Sequence, residues 1–326
     1  MSHVGGLGGH LGARPSSIES GLGGHLGARP CPIKSVWLPV ITPFTDGQVD
    51  LVSYERMLAH YLDQGVTGVF PIGTTGESPT LDDDEIEALV DRTVTVVAGR
   101  VPVFVGIGGN ATAKVIRAIR RLERYPFPGI VSVCPYYNRP GQEGLREHFT
   151  RIAEATDKQI LIYNIPYRTS VNLANETLLQ LAELPNIVGV KDSSGSTAQS
   201  LDLLRLRPQG FSVMTGDDGF FYTSLAHGGD GGILASSHVH TRRFLQVYER
   251  MTANDHHGAR VLWAELEAMI PLLFREANPM PIKHCLWRQG LIKSAECRLP
   301  LTHVSDALAA DLDRALTTTA MSSGPA

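Results

Sequence analysis

The chain has 326 residues, with 29 Lys and Arg against 33 Asp and Glu and a formal net charge of −4. This length allows one large α/β barrel with an appendage or two ordinary domains, and the lack of any basic run argues against a nucleic-acid partner. No apolar run approaches the roughly 20 residues of a membrane helix, and the N-terminal segment lacks the features of a secretory signal, so we expect a cytoplasmic protein.

The first 34 residues are dominated by a glycine-rich string. Residues 6–15 read GLGGHLGARP, and residues 21–30 repeat it. Glycine at this density makes helix or strand costly in backbone entropy, so residues 1–34 are predicted to form a flexible arm. His10 and His25 recur in the repeat, but two histidines on such an arm are weak support for a metal site.

Residues 35–240 alternate short β-branched runs with longer segments of helical periodicity, the pattern of repeated βα units. Eight runs over about 210 residues predict an α/β fold, a (β/α)8 TIM barrel. The predicted strands are Val36–Ile41, Gly68–Ile72, Val101–Val105, Gly129–Cys134, Gln159–Asn164, Ile187–Lys191, Ser212–Thr215 and Gly231–Ala235. The predicted helices include Val52–Gln64, Asp83–Ala98, Ala113–Leu122, Leu145–Ala155, Thr177–Leu184 and Phe220–His227.

Beyond the barrel, residues 241–326 show no further strand pattern and are predicted to form a C-terminal helical region. Within the barrel, Thr80 is predicted to cap the helix that follows it. The acidic residues 82–85 would then lie in the first turn, where the helix dipole favours negative charge.

Lys191 ends the sixth strand run and is followed by Asp-Ser-Ser-Gly. In barrels of this kind the active site lies at the C-terminal ends of the strands. A partly desolvated amine there has a lowered pKa and can attack a carbonyl compound to form a Schiff base. On position alone, a solvated lysine at the start of a surface loop is the more common case.

Residues after other strand runs could serve the same chemistry. The turn 73–77 (GTTGE) offers glycines, two hydroxyls and free N–H groups suited to a carboxylate, although a tight turn with a capping threonine would look alike. Tyr137 follows the fourth run and Tyr163 lies in the fifth. Each could pack as a lid over the barrel mouth, or a phenol beside the amine could shuttle protons.

Two further loops and the cysteines give less specific signals. The run 228–232 (GGDGG) does not fit a dinucleotide fingerprint, and close approach to a small ligand is the better interpretation. Asp217 and Asp218 are more consistent with a helix start than with a metal site. The four cysteines show no metal-finger spacing and no CxxC pair, so no metal is expected.

Five motifs give the chain a family resemblance. They are GTTGES at 73–78, PYYNRP at 135–140, YNIPYRT at 163–169, GVKDSSG at 189–195 and NPMPIK at 278–283. In this order they resemble the dihydrodipicolinate synthase and N-acetylneuraminate lyase family of class I pyruvate aldolases. The resemblance runs from about Val36 to Leu301.

The resemblance implies a division of catalytic roles. Lys191 would form the imine with pyruvate or another 2-oxo acid, and Tyr163 would be its acid–base partner. Thr74 and Thr75 would cradle the carboxylate and help to relay protons, with Tyr137 completing the relay across a dimer interface. A homo-oligomer, a dimer of dimers, is therefore expected.

The resemblance also implies a set of substrate-binding residues, namely Thr75, Gly76, Arg168, Gly232 and Ile233. No cofactor is expected, because the lysine itself supplies the electron sink. In the synthase branch, the arginine at the position of Arg168 binds the carboxylate of aspartate semialdehyde, whereas sialic acid lyases carry none there. A planar guanidinium suits a carboxylate, although an arginine at this place could also be a rim residue without a specific partner.

Three hypotheses about function remain open. The first is a lyase that condenses pyruvate with aspartate semialdehyde. The second is a 2-oxo-3-deoxy sugar acid aldolase or dehydratase with the same imine, because Ser170 and His238 depart from the usual synthase residues. The third is a non-catalytic barrel that binds a 2-oxo acid, against which the set of residues around Lys191 argues.

Inhibition by lysine is expected to be weak or absent. At the positions that form the effector site of lysine-inhibited synthases, this chain has Asp83, Ile86 and Lys114, and Lys114 would repel the ammonium group of lysine. Steady-state assays with added lysine check this expectation, and inhibition at sub-millimolar lysine would contradict it.

Overall fold

The computed structural model describes residues 33–322. Its strands are β1 (Ser35–Leu38), β2 (Phe44–Thr45), β3 (Gln48–Val49), β4 (Gly68–Val69), β5 (Phe104–Gly106), β6 (Gly129–Val133), β7 (Gln159–Asn164), β8 (Ile187–Asp192), β9 (Ser212–Thr215) and β10 (Gly231–Ile233). Its α-helices are α1 (Leu51–Gln64), α2 (Asp83–Val97), α3 (Thr112–Leu122), α4 (Gln142–Glu154), α5 (Pro166–Thr169), α6 (Asn175–Leu181), α7 (Thr197–Leu206), α8 (Phe221–Ala226), α9 (Ser237–Thr252), α10 (His256–Leu273), α11 (Met280–Arg288) and α12 (Asp306–Ser322). Two short 3-10 helices span Ser78–Thr80 and Asp218–Phe220.

Eight parallel strands form a barrel in the order β4-β1-β10-β9-β8-β7-β6-β5. A parallel bridge between Val69 and Val103 joins the two ends of this sheet, so the ring closes. The predicted (β/α)8 barrel with a C-terminal helical extension is confirmed. The antiparallel hairpin β2–β3 was not predicted, because its strands have only two residues each.

The strands fold as the sequence predicts because they are buried on both faces. All six residues of β8 are buried, and a side chain at Gly189 would overlap the backbone of β9 at Ser212. Glycine at this place therefore lets the two strands pair closely enough to bring Lys191 beside its neighbours.

The start of α2 corrects one expectation. Asp82, not Thr80, is the N-cap, since its side chain accepts a hydrogen bond from the Glu85 N–H, and the Asp82 N–H in turn donates to the Glu85 carboxylate. Thr80 instead belongs to the preceding 3-10 helix, and its hydroxyl donates to the Glu77 carbonyl at 2.9 Å. The predicted acidic first turn is confirmed, with Asp83, Asp84 and Glu85 in it.

Apolar side chains fill the barrel interior and include two predicted site residues, Tyr163 and Ile233, packed with Phe70 and Met214. A second layer packs the strands against the helices. Residue 240, where the sequence predicts the change from barrel to helical region, lies inside α9 at a non-helical residue, His240. Helices α10 to α12 follow.

The predicted arm is almost entirely outside the described residues, as are His10, His25 and Cys31. Between residues 33 and 322, no helix is both long and apolar enough to cross a membrane. In the same range, no group of three or more His, Cys, Asp or Glu side chains could hold a metal ion.

Candidate active site at the C-terminal ends of the barrel strands

Lys191 lies at the end of β8 directly beside Tyr163 of β7, since the two residues are register partners in adjacent strands. The Lys191 Nζ is 4.3 Å from the centre of the Tyr163 ring and 5.2 Å from that of Phe70. Lys191 is only 5% exposed, so it is not a surface-loop lysine. A side chain at Gly216 would come within 2.6 Å of Lys191 Cε, and this glycine therefore makes room for the lysine.

Burial lowers the pKa of Lys191 to about 7, with the Asp218 carboxylate raising it and Arg168 lowering it further. An exposed lysine has a pKa near 10.4 and holds almost no neutral amine at neutral pH. With a pKa near neutrality, Lys191 holds a substantial share of neutral amine at pH 7. The site therefore holds a nucleophilic amine at physiological pH.

Tyr163 is buried, and its burial raises the pKa of the phenol far above the usual value, so the group stays protonated at neutral pH. Tyr167 raises this pKa further, while Arg168 and the nearby hydroxyls of Ser193 and Thr74 lower it. A protonated phenol beside a neutral amine can supply the proton that a carbonyl oxygen needs when the amine attacks.

The turn after β4 lies in the same barrel mouth. Thr75 is 3% exposed, and its Oγ1 accepts a hydrogen bond from Asn278 Nδ2 at 3.0 Å. A Cβ at Gly76 would lie 3.0 Å from the carbonyl oxygen of Val40, so a side chain there would crowd the backbone of the turn. The hydroxyl of Thr42 donates to the Gly76 carbonyl at 2.7 Å and holds the turn in place.

Arg168 lies at the rim of the mouth, on the short helix α5. It is exposed, its Nε donates to the Tyr167 hydroxyl at 2.9 Å, and its guanidinium Cζ is 5.1 Å from the centre of the Tyr167 ring. Its charge reaches Lys191 and Tyr163, because it lowers the pKa of both. Arg168 therefore lies near enough to the amine to act on it electrostatically.

Tyr137 is a predicted site residue that does not lie beside Lys191 and Tyr163 of its own chain. It is 89% exposed with a positive φ of 73°, and within residues 33–322 no hydrogen bond or ring contact joins it to Lys191 or Tyr163. A non-glycine residue in this backbone conformation is uncommon, and strained residues of this kind cluster at functional sites.

The two predicted residues of β10 differ in their surroundings. The Ile233 side chain packs inside the barrel in the same apolar cluster as Tyr163. A side chain at Gly232 would instead meet Phe221 and Leu234 of another core cluster. Substrate contact by Gly232 could therefore involve only its backbone.

Two glycines of the run 228–232, which was predicted to approach a ligand, have a packing role in the fold. A side chain at Gly229 would overlap Ser224, and one at Gly231 would overlap the backbone of Ser35. Gly231 is also the register partner of Ser35 at the first paired position of β1 and β10. These glycines serve close packing of the protein against itself.

Asp218 is a feature of the site that sequence reasoning missed. The helix-start prediction is confirmed for Asp217, which caps the 3-10 helix. Asp218, however, is 3% exposed, accepts a hydrogen bond from the Ser236 N–H at 2.6 Å and interacts electrostatically with Lys191. Burial raises the pKa of Asp218 to about 6. No local pattern distinguishes the two aspartates, since only barrel closure brings one of them near the lysine.

A model of the dihydrodipicolinate synthetase family matches residues 32–319. The chain belongs to this family. The class I Schiff-base chemistry of the family agrees with a buried lysine of lowered pKa beside a protonated tyrosine.

Several family members are close to this chain. The 4-hydroxy-tetrahydrodipicolinate synthase 2 of Clostridium acetobutylicum is 49% identical over 284 residues, which cover 87% of this chain and 99% of the relative. The crystal structure of the dihydrodipicolinate synthase of Thermotoga maritima has a TM-score of 0.86 and 37% identity, covering 88% of this chain and 99% of that one. The enzyme of Acinetobacter baumannii, solved in complex with pyruvate, has a TM-score of 0.85 and 33% identity over 88% of this chain and 99% of its own.

Proposed function

We propose that this family member condenses pyruvate with aspartate semialdehyde through an imine on Lys191. The observation that carries the proposal is the buried Lys191 amine, with its pKa lowered to about 7, packed against the Tyr163 ring at the C-terminal ends of β7 and β8. The relative named as a 4-hydroxy-tetrahydrodipicolinate synthase at 49% identity supports the choice of aldehyde.

The first half of the reaction captures pyruvate. The Lys191 nitrogen attacks the C2 carbonyl, a C–N bond forms, and the carbonyl oxygen takes a proton that Tyr163 supplies. The nitrogen returns a proton to Tyr163, the hydroxyl leaves as water when Tyr163 protonates it, and the nitrogen lone pair forms the C=N bond. We assign the carboxylate of pyruvate to Thr75, the backbone of Gly76 and the backbone around Ile233, with Thr74 beside the Tyr163 phenol.

The second half forms the new carbon–carbon bond. Loss of a C3 proton converts the imine to an enamine, whose C3 attacks the aldehyde carbon, and the aldehyde oxygen takes up a proton. The amino group of the semialdehyde then attacks the regenerated imine at C2 and displaces the Lys191 amine, which closes the ring. One water is released overall, and the enzyme returns to its starting state.

Turnover with the semialdehyde separates this proposal from its alternatives. Sodium borohydride with pyruvate, followed by intact-mass analysis, should add one reduced pyruvate per chain at Lys191. Product formation should then require aspartate semialdehyde rather than a sugar-derived 2-oxo acid. An adduct without semialdehyde turnover would favour the sugar acid alternative, motivated by Ser170 and His238, and absence of an adduct would leave only a binding protein.

Arg168 is the residue that we assign to the carboxylate of the semialdehyde. Arg168→Ala should lower kcat/KM for the semialdehyde by roughly a hundredfold, because two charge-assisted hydrogen bonds are lost, while pyruvate trapping persists. Arg168→Lys should recover only part of the lost kcat/KM, since an ammonium group lacks the planar, two-pronged geometry of a guanidinium. Arg151→Ala, which removes an exposed arginine of α4, is the matched control. Equal losses with pyruvate and with the semialdehyde would reject the assignment.

We propose that Tyr137 acts in the site of a neighbouring subunit, within a dimer of dimers. Its exposure, together with the exposure of Tyr136 and Tyr167 in the segments that follow β6 and β7, supports this arrangement. Mixing the inactive variants Tyr137→Phe and Lys191→Met should restore activity, because a mixed dimer combines one intact lysine with the intact tyrosine of its neighbour. No recovery after subunit exchange would contradict a shared site.

Side-chain pairing and the free cysteines support two further proposals, insensitivity to lysine and a location in the cytoplasm. The Asp83 carboxylate is paired with Arg121 and Lys114 is exposed, which supports the expected insensitivity to lysine. Cys134, Cys285 and Cys297 carry free thiols, which supports a reducing compartment and hence the cytoplasm.

A further inference from the structure

The segment NPMPIK (278–283) of the C-terminal region contacts the turn GTTGES (73–78) at two places. Asn278 Nδ2 donates to Thr75 Oγ1 at 3.0 Å across 203 residues of sequence. Lys283 Nζ forms a fully buried ion pair with Glu77, two residues further along the turn. The reaction steps proposed for Lys191 and Tyr163 use neither contact, so their purpose needs a separate explanation.

We propose that Asn278 is a positioning residue that directs the hydroxyl hydrogen of Thr75 toward the carboxylate of the bound 2-oxo acid. A hydroxyl has one hydrogen to donate and two lone pairs to accept with, whereas a carboxylate only accepts. Thr75 must therefore donate to the substrate. The Asn278 N–H occupies a lone pair of Thr75 Oγ1 and does not compete for its hydrogen.

The surroundings of Asn278 support a role beyond packing. Two other hydrogen bonds already anchor the turn without Asn278. The Thr42 hydroxyl donates to the Gly76 carbonyl, and the Arg298 N–H donates to Glu77 Oε2 at 3.0 Å. The other side-chain atom of Asn278, Oδ1, is buried and has no hydrogen-bond partner within residues 33–322. A buried polar atom without a partner costs free energy, and a site that retains one calls for a functional explanation.

The contact predicts a specific order of effects on pyruvate capture. Asn278→Ala leaves the Thr75 hydroxyl free to rotate, and the pyruvate concentration for half-maximal borohydride trapping should rise roughly five- to tenfold. Asn278→Asp keeps the shape but offers only acceptors, so it diverts the Thr75 hydrogen and adds negative charge near the substrate. Its half-maximal concentration should rise by more than that of Asn278→Ala.

Trapping with pyruvate alone, followed by intact mass, is the experiment. In a Thr75→Val background, Asn278→Ala should change the half-maximal concentration less than about twofold, because the group that it positions is absent. Asn186→Ala is the matched control, since it removes an amide that donates to Ala153 and Thr156 carbonyls before β8, and it should leave trapping unchanged. If Asn278→Ala does not fold, pyruvate trapping by the isosteric variant Asn278→Asp tests the inference instead.

The inference is overturned if Asn278→Asp traps pyruvate like the unmodified protein, or if the effects of Asn278→Ala and Thr75→Val multiply. It rests on the proposed imine but on no particular aldehyde. Absence of any adduct in the unmodified protein would reject the proposed function. An adduct without semialdehyde turnover would reject only the second substrate and leave the test of Asn278 intact.

Discussion

Lys191→Met is expected to abolish the borohydride-trapped pyruvate adduct and to lower kcat by on the order of 10⁴-fold or more, the scale seen when a catalytic nucleophile is removed. Methionine matches the length of the lysine stem, so the loss reports on the amine and not on packing. The matched control is Lys158→Met, because Lys158 is a partly buried lysine over the Phe127 ring that lies before β7, away from the mouth. A remaining adduct in Lys191→Met would show that another amine captures pyruvate.

The same variant should be more stable than the unmodified protein. The folded pKa of Lys191 is about 7 and the unfolded value is about 10.5, so the unfolded chain binds a proton that the folded chain does not. This difference destabilises the fold as pH falls below 10.5, and the cost is complete below pH 7. Lys191→Met removes it and should gain about 2–4 kcal/mol at pH 7.

Urea unfolding at several pH values measures this gain. The advantage of Lys191→Met should shrink steadily between pH 7 and pH 10, since the amine is then neutral in a growing share of unfolded chains. A variant that is less stable than the unmodified protein at pH 7 would mean that Asp218 compensates the buried charge fully. The amine would then have a pKa near the ordinary one, and the proposed nucleophile would lose its physical basis.

Lys283→Met is expected to destabilise the fold by about 3–5 kcal/mol, because it leaves the Glu77 carboxylate buried without its cation. Both side chains of this pair are almost fully buried, and Lys283 Nζ also donates to the Glu296 carbonyl at 2.8 Å over the Phe44 ring. The pair therefore joins the substrate turn to the C-terminal region. Its loss should also weaken pyruvate trapping.

The double variant Lys283→Met with Glu77→Gln separates charge from packing. Neutralising Glu77 removes the uncompensated carboxylate, so the double variant should be more stable than Lys283→Met alone. Arg100→Met is the control, since its ion pair with Asp63 is exposed at the surface and should contribute less than about 1 kcal/mol. Strictly additive losses in urea unfolding would show that the two charges do not interact.

Local sequence patterns were sufficient for the barrel and for its central lysine. Buried strands such as β8 appear in the sequence as continuous Val, Ile and Gly runs, and the C-terminal ends of such strands form the mouth of the barrel, so Lys191 and Tyr163 could be placed together in advance. The cap of α2 was misassigned by two residues, because Thr80 and Asp82 both suit a helix start and only the 3-10 turn between residues 78 and 80 separates them. The strands of the hairpin β2–β3 are too short to show the alternation of apolar and polar residues that indicates a β-strand.

Patterns in the sequence are therefore enough to predict the eight strands, the chemical class of the site and the resemblance that the family match confirms. The reactivity of the amine and the contacts that hold the turn after β4 arise from packing in three dimensions. Burial lowers the pKa of Lys191, Asp218 partly offsets that effect, and Asn278 reaches Thr75 across 203 residues. These effects depend on distances between residues that are remote in the chain, and such distances exist only once the barrel has closed and the C-terminal region has packed against it.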